Sequence, residues 1–113
     1  MSRRDDTISM RHMLDHAREA CAMVERRDRS DLDSDRMLQL ALTRLIEIIG
    51  EAASRVSVTT REKFPELPWG EIVGMRHRLI HGYDVVELNI LWDTVQIDLP
   101  PLIEQLERIL GTH

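Results

Sequence analysis

Apolar residues recur every three to four positions along most of the chain, which places them on one face of an α-helix. A first helix is predicted over about residues 7–27, before a polar loop. A second is predicted over about residues 35–56, and it is apolar on more than one side. Such a helix is usually buried on more than one side, so we expect it at the centre of the core or also against a second subunit. Gly50 inside it indicates close packing there.

The next segment contains a short turn and then a third long helix. Thr59 or Thr60 can cap a single helical turn, which Pro65 ends. Pro68 suits the first turn of the third helix, and Gly82 suits its end.

The last helix is predicted from about Asp84, as its cap, to Leu110. Pro100 and Pro101 should kink or break it near Asp98, because proline cannot donate the helical hydrogen bond.

Composition agrees with a helical domain of ordinary size. The chain has 113 residues, of which 42% are hydrophobic, 31% charged and only 4% aromatic. The core must therefore be built from Leu, Ile, Val, Met and Ala, which favours helices. We expect one all-α domain, residues 1–113, folded as an up-and-down bundle of four to five helices.

Cysteine content, hydropathy and net charge indicate the expected compartment and the kinds of partner. Cys21 is the only cysteine, so no internal disulfide is possible and a reducing cytoplasm is expected. Cys21 lies on an apolar stripe and is interpreted as a small core residue. No apolar stretch is long enough to span a membrane, and no signal peptide is recognisable. The formal net charge of −5 argues against broad coating of nucleic acid, but it permits a small phosphate site.

The stretch GMRHRLIHGYD, residues 74–84, carries an unexpected charge. On a continuous helix over residues 69–83, Arg76 falls in the middle of the apolar side. That side consists of Trp69, Ile72, Val73, Leu79, Ile80 and Tyr83. Three explanations are open. Arg76 forms an ion pair with Glu47 or Glu51, its aliphatic part packs on the apolar side while the guanidinium reaches water, or its guanidinium binds an anion.

Two histidine pairs have a spacing that can hold zinc. His77 and His81 are four residues apart, as are His12 and His16. Neither pair has an obvious third ligand, so no metal site is expected, and the second pair is interpreted as solvated surface. Opposite the apolar side of the third helix, Gly70 and Gly74 would permit the close approach of a neighbouring helix or a symmetry mate.

The segment RHRLIHGY resembles the R-x4-H-x-Y motif of HEPN domains, specifically of HepT-like toxins that are paired with minimal nucleotidyltransferases. Three flanking segments are similar to the same family: LTRLIEIIGEAASRVS, FPELPWGEIVGMRHRLIHGYDVV and DLPPLIEQLERIL. The resemblance is strong from about residue 35 to residue 110 and loose over the first helix.

The resemblance implies a homodimeric helical bundle in which two copies of the motif face one cleft. It implies a metal-independent endoribonuclease without a cofactor, acting as the toxin of a type VII-like toxin–antitoxin pair. Arg76 and His81 would be catalytic, and His77 and Arg78 would bind the RNA substrate. Tyr83 would receive AMP from the partner nucleotidyltransferase, which silences the toxin. Because His77 stands where the family more often has Asn or Asp, the choice of acid–base histidine stays open.

The chemistry of the residues suits such a reaction. RNA carries its own nucleophile, the 2′-OH, so cleavage needs a base for that proton and an acid for the leaving oxygen. Histidine can serve in either role, and arginine binds phosphate oxygens with a planar fork of donors. Two other interpretations remain: a non-catalytic helical dimer that binds nucleotide and docks a nucleotidyltransferase, and a purely structural helical dimer.

The spacing within the motif makes one structural prediction. Arg76 and His81 are five residues apart and do not point the same way on an ideal helix. They can share a site if the helix unwinds near His81 and Gly82, or if each meets a group from a partner subunit. The site is therefore expected at a helix end and across a dimer interface.

Overall fold

The computed structural model describes residues 3–81 and 85–111, and their side chains over residues 5–80 and 85–111. Most of these residues are helical, so the all-α prediction is confirmed. The polar segment after the first helix, predicted as a loop, also forms a short helix, Arg29–Ser34, because Leu32 is buried in the core. The α-helices are α1 (Arg3–Met23), α2 (Arg29–Ser34), α3 (Arg36–Ser54), α4 (Val58–Lys63), α5 (Trp69–Val73), α6 (Met75–Leu79), α7 (Leu88–Asp93) and α8 (Leu99–Leu110). A π-helical segment, Thr94–Asp98, joins α7 to α8, and β1 (Ile80–His81) pairs antiparallel with β2 (Val85–Val86). Within these ranges, no helix is both long enough and apolar enough to cross a membrane.

The helix α3 is central, as its pattern predicts. It packs against α1 on one side and against α5 and α6 on another. Leu42, Ile46 and Ile49 are fully buried along it. Its N-terminal part also exposes apolar side chains, since Met37 and Leu40 are 81% and 52% exposed.

Polar side chains set the starts of α3 and α4. The Asp35 carboxylate accepts a hydrogen bond from the Leu38 amide at 3.0 Å, which caps α3 where the sequence predicts its start. The cap of α4 is Ser57, so the prediction of Thr59 or Thr60 as the cap is wrong. Ser57 takes this position because its hydroxyl accepts from the Thr60 amide at 3.3 Å and also donates to a buried carboxylate.

That carboxylate, Asp6 of α1, is 2% exposed and joins α1 to α4. It accepts hydrogen bonds from the Ser57 hydroxyl at 2.6 Å, the Thr60 hydroxyl at 2.6 Å and the Ser57 amide at 2.9 Å. The Ser57 and Thr60 hydroxyls hold the pKa of Asp6 below its ordinary value, although burial opposes them. The charged form is therefore the one that the folded chain stabilises.

Asp6→Ala is expected to lower the free energy of unfolding by about 3 kcal/mol at neutral pH, because three donors lose their acceptor. The folded pKa lies below the unfolded value of about 3.9, so this stabilisation is present above that pH and is lost as the pH falls through the folded pKa. The difference in the free energy of unfolding between wild type and variant should therefore narrow below about pH 4. Urea denaturation at neutral and at acidic pH measures this difference. Asp15→Ala, at an exposed position of α1, is the control, and an equal effect there would contradict the account.

Gly50 permits the close approach of α3 and α5 that the sequence indicates. A Cβ atom at this position would lie 3.3 Å from the carbonyl oxygens of both Ile72 and Val73. Only glycine leaves that space without a shift of the backbone. This contact fixes the position of α3 against the segment that carries the charged motif.

The third predicted helix is not continuous, which corrects the prediction of one helix to Gly82. It divides at Gly74, whose backbone angles of φ −88° and ψ 0° leave the regular helix, and α6 then ends at Leu79. The Glu87 amide donates to the Leu79 carbonyl at 2.6 Å, beside the β1–β2 pairing. These hydrogen bonds to residues 85–87 replace the helical ones that would have continued α6.

The last helix is interrupted near Asp98, as its two prolines predict. Pro100 and Pro101 cannot donate to the carbonyls four residues earlier. The chain instead forms the π-helical segment, in which the Leu99 amide donates to the Thr94 carbonyl, five residues back. The start of the last predicted helix also differs from the prediction. The helix begins at Leu88, with Glu87 as its cap, and the predicted cap, Asp84, lies outside the described residues.

Candidate functional site

The short helix α6 presents three basic residues at the surface. Met75 and Leu79 anchor it in the core, with 3% and 0% exposure. Arg76, His77 and Arg78 between them are all exposed. Successive helical residues point about 100° apart, so these side chains diverge. Arg76 reaches α3, and Arg78 reaches the π-helical segment.

Arg76 forms an ion pair with Glu47 of α3, through the guanidinium Nε and a carboxylate oxygen. The predicted ion-pair explanation is therefore confirmed for Glu47. The expected burial of Arg76 in an apolar stripe is wrong, because its side chain is 48% exposed. The break at Gly74 rotates α6 so that Met75 enters the core and Arg76 lies at its edge.

Glu47 holds a second arginine as well. Its other carboxylate oxygen lies 2.5 Å from Nη1 of Arg44, one turn earlier on α3. Arg44 also lies 3.4 Å from Glu51. The hydrogen bond from Arg44, with the hydrogen bond and charge of Arg76, holds the pKa of Glu47 below its ordinary value although burial opposes it. Glu47 is thus an ionised carboxylate between two guanidinium groups.

An open depression lies beside this ion pair, between α3 and the α5–α6 segment. Its lining consists of Glu47, Gly50, Glu51, Ser54, Val73, Arg76 and His77. A guanidinium has five N–H donors, and Glu47 engages Arg76 at Nε. The remaining N–H groups of Arg76 are therefore available to a phosphate in the depression.

The structure describes only part of the predicted site. His81 has its backbone in β1, and its side chain is outside the described residues. Tyr83 and Gly82 lie wholly outside them. The backbone nevertheless explains the spacing of five residues, because α6 ends at Leu79, between Arg76 and His81. The expectation that the motif lies at a helix end is confirmed, and its position at a dimer interface stays a prediction.

Arg78 is held loosely on the other side of α6. Its Nη2 lies 3.8 Å from Oδ2 of Asp98, with the two side chains 48% and 46% exposed. This separation exceeds a hydrogen bond, and exposed pairs of this kind stabilise a fold by at most about 1 kcal/mol. The sequence pattern indicated no role for Asp98, since its approach to Arg78 depends on the π-helical segment.

The other candidate reactive groups have ordinary structural roles. Cys21 is partly buried, its thiol lies 3.7 Å from the Val95 carbonyl, and burial raises the pKa of the thiol. Nδ1 of His16 lies 2.7 Å from the His12 carbonyl of the same helix. Among residues 3–81 and 85–111, no three His, Cys, Asp or Glu side chains lie close enough together to hold a metal ion.

Sequence reasoning missed the role of Arg44. The spacing of three between Arg44 and Glu47 on a helix was the available signal, since side chains so spaced are neighbours. It did not show that Glu47 would also meet Arg76, because that contact joins two helices.

Comparison with known proteins identifies the family of the chain. The family model Ribonuclease HepT-like matches residues 13–109. A relative from Methanocaldococcus jannaschii, whose name proposes an RNase, is 35% identical over 96% of this chain and 100% of its own length. One from Caldanaerobacter subterraneus subsp. tengcongensis, with the same kind of name, is 38% identical over 88% of this chain and 93% of its own.

A third relative, from Thermococcus cleftensis, has a name that proposes ribonuclease HepT. It is 35% identical over 89% of this chain and 96% of its own. No solved structure matches the chain significantly. The family match covers most of the sequence, residues 74–84 included, and confirms the resemblance of the chain to HepT-like proteins. The chain belongs to the HepT-like ribonuclease family.

Proposed function

We propose that this protein is a metal-independent endoribonuclease and the toxin of a type VII-like toxin–antitoxin pair. One observation carries the proposal: Arg76 is held half-exposed by Glu47 at the edge of an open depression, five residues before His81. The family match supports RNA as the substrate. Arg76 and His81 would form the catalytic pair, and His77 and Arg78 would contact the RNA.

Arg76 stabilises the phosphate as it gains negative charge during cleavage. The substrate's own 2′-OH attacks the phosphorus, and the 5′-oxygen leaves. A guanidinium donates two parallel hydrogen bonds to phosphate oxygens and keeps its positive charge throughout. Because Glu47 already fixes Arg76 at Nε, little reorganisation is needed when the charge develops.

His81 supplies the acid–base step. A neutral imidazole accepts the proton of the 2′-OH, and an imidazolium returns a proton to the leaving 5′-oxygen. The two steps need opposite protonation states, which two copies of His81 in a homodimer can provide. The apolar side chains that α3 exposes, Met37 and Leu40, support a surface for a second subunit.

Glu47→Ala is expected to lower the single-turnover rate of RNA cleavage about tenfold, because Arg76 loses the group that orients it. Glu47→Gln should stay close to wild type, since an amide oxygen still accepts from Nε of Arg76. Single-turnover cleavage of a labelled RNA measures both. Glu51→Ala is the matched control one turn along α3, and it should have little effect. Equal losses in the Ala and Gln variants would show that charge, and not orientation, is what Glu47 supplies.

Tyr83 is proposed as the site of silencing. An added AMP brings a negative phosphate and bulk next to a site that binds phosphate, so RNA is excluded. Incubation with the partner nucleotidyltransferase and ATP should add the mass of AMP to wild type and stop RNA cleavage. Tyr83→Phe should remain unmodified and active, as intact mass and a cleavage assay will show. A Phe variant that still gains AMP would contradict the assignment.

Growth on induction tests the biological role. Expression of wild type alone should arrest growth, co-expression of the partner should relieve the arrest, and His81→Ala should be harmless. Arrest that persists in the His81→Ala strain would contradict toxicity through RNA cleavage.

A further inference from the structure

A small cavity lies on the side of α6 that faces away from Glu47. Its floor is apolar and formed by Ile72, Met75 and Leu102, which are 3%, 3% and 5% exposed. Arg78 and Asp98 stand at its rim. The cavity measures about 200 Å³. Pockets for drug-sized ligands measure roughly 300–1,000 Å³, so this one suits a single ring system.

The π-helical segment forms one wall of the cavity. It contributes Ile97, which is 63% exposed, and Asp98. Segments of π-helix are rare and occur frequently at functional sites. The Arg78–Asp98 pair is separated by 3.8 Å and exposed, so both groups can turn to a ligand at little cost to the fold. This side of α6 therefore has an apolar cavity, and the carboxylate of Asp98 and the guanidinium of Arg78 at its rim are available to a ligand.

We propose that this cavity binds a guanine base of the same RNA strand whose phosphate Arg76 holds. Unstacked RNA bases are recognised by apolar or guanidinium surfaces on their faces and by hydrogen bonds on their Watson–Crick edges. Guanine presents two adjacent donors, N1–H and N2–H, which match the two oxygens of Asp98. Adenine and cytosine present one amino group beside an acceptor, and uracil presents one N–H between two carbonyl oxygens. Guanine is therefore preferred, and uracil is the poorest ligand.

The arrangement of α6 links this subsite to the catalytic residues. Arg76 and Arg78 lie on its two sides, with the exposed His77 between them. A single strand that crosses α6 can place one phosphate at Arg76 and one of its bases in the cavity. The ligand class rests on the proposed function, and the subsite adds a base preference to it.

Binding of 2′-O-methyl pentanucleotides tests the subsite without cleavage, because the methyl group blocks the nucleophile. The probes are an all-uridine strand and strands with one guanosine, adenosine or cytidine, followed by fluorescence anisotropy. Wild type should bind the best guanosine strand roughly tenfold more tightly than the uridine strand. In Asp98→Asn this ratio should fall to within about threefold, since the amide cannot accept both guanine donors. Asp93→Asn, at an exposed position outside the cavity, should keep the wild-type ratio.

A second variant removes the apolar wall. Ile97→Ser should weaken guanosine binding several-fold, whereas Val58→Ser, at a 68% exposed position outside the cavity, should not. Guanine preference in a protein that cleaves no RNA would refute the proposed function and leave the subsite standing. Equal binding of all strands by wild type, or a preference retained in Asp98→Asn, would overturn the subsite. So would an Asp98→Asn variant that keeps its base preference and loses only nucleotidyltransferase binding.

Discussion

Arg76→Ala is expected to slow RNA cleavage by about 10²–10³-fold, the usual effect of removing one donor that stabilises developing charge. Its fold should survive, because the ion pair that Arg76 makes with Glu47 is partly exposed and contributes at most about 1 kcal/mol. Arg76→Lys should recover little activity. A lysine cannot bind a carboxylate through one edge and a phosphate through the other, as a guanidinium can. Single-turnover rates and melting temperatures, measured together, separate the chemical effect from a folding effect.

Arg44→Ala is the matched control for this prediction. Arg44 binds the same carboxylate, Glu47, and its side chain is 58% exposed. Its removal takes away the same positive charge a short distance from the proposed phosphate position. Cleavage should therefore remain within a few-fold of wild type. An equal loss in the two variants would show that net positive charge on this surface, and not the position of Arg76, determines the rate.

His81→Ala is expected to lower cleavage by about 10²–10⁴-fold, the range that general acid–base catalysis by a side chain contributes. The reason is chemical: the variant lacks the imidazole that is proposed to take the proton of the 2′-OH and to return one to the leaving oxygen. The variant should still bind a 2′-O-methyl RNA with wild-type affinity, because Arg76 and Arg78 are unchanged. Rate and affinity must therefore be measured on the same preparation.

His77→Ala decides which histidine has that role. His77 is exposed on α6, next to Arg76, and has the same titratable group. It is proposed to contact RNA, so its loss should weaken binding several-fold and leave the single-turnover rate at saturation close to wild type. If His77→Ala loses the rate and His81→Ala keeps it, the acid–base role belongs to His77.

The three long helices α1, α3 and α8 were predictable from the sequence because their signals are local, whereas α2, in the segment predicted as a polar loop, was not. The periodicity of α3, its cap at Asp35 and the interruption before Pro100 each depend on residues within a turn or two. Gly50 also indicated its close contact, since glycine inside a helix costs stability unless a neighbouring backbone needs the space. Membership of the family followed from the motif and its flanking segments, and the family match confirms it.

The orientation of Arg76 was not predictable in the same way. The sequence pattern placed residues 69–83 on one continuous helix. In the structure α6 ends at Leu79, and the next two residues pair with Val85 and Val86 instead. Nor could periodicity choose between Glu47 and Glu51, which lie one turn apart on α3. The choice depends on the position of α6 along α3, and that position depends on the contact of Gly50 with α5.

The most direct test of the central claim is the rate at which the purified protein cleaves a single-stranded RNA in excess EDTA. The account predicts cleavage by wild type at an undiminished rate, with products that end in a 2′,3′-cyclic phosphate because the 2′-OH is the nucleophile. Arg76→Ala and His81→Ala should each lose that activity. Cleavage abolished by EDTA, products with a 3′-hydroxyl, or full activity in both variants would contradict it.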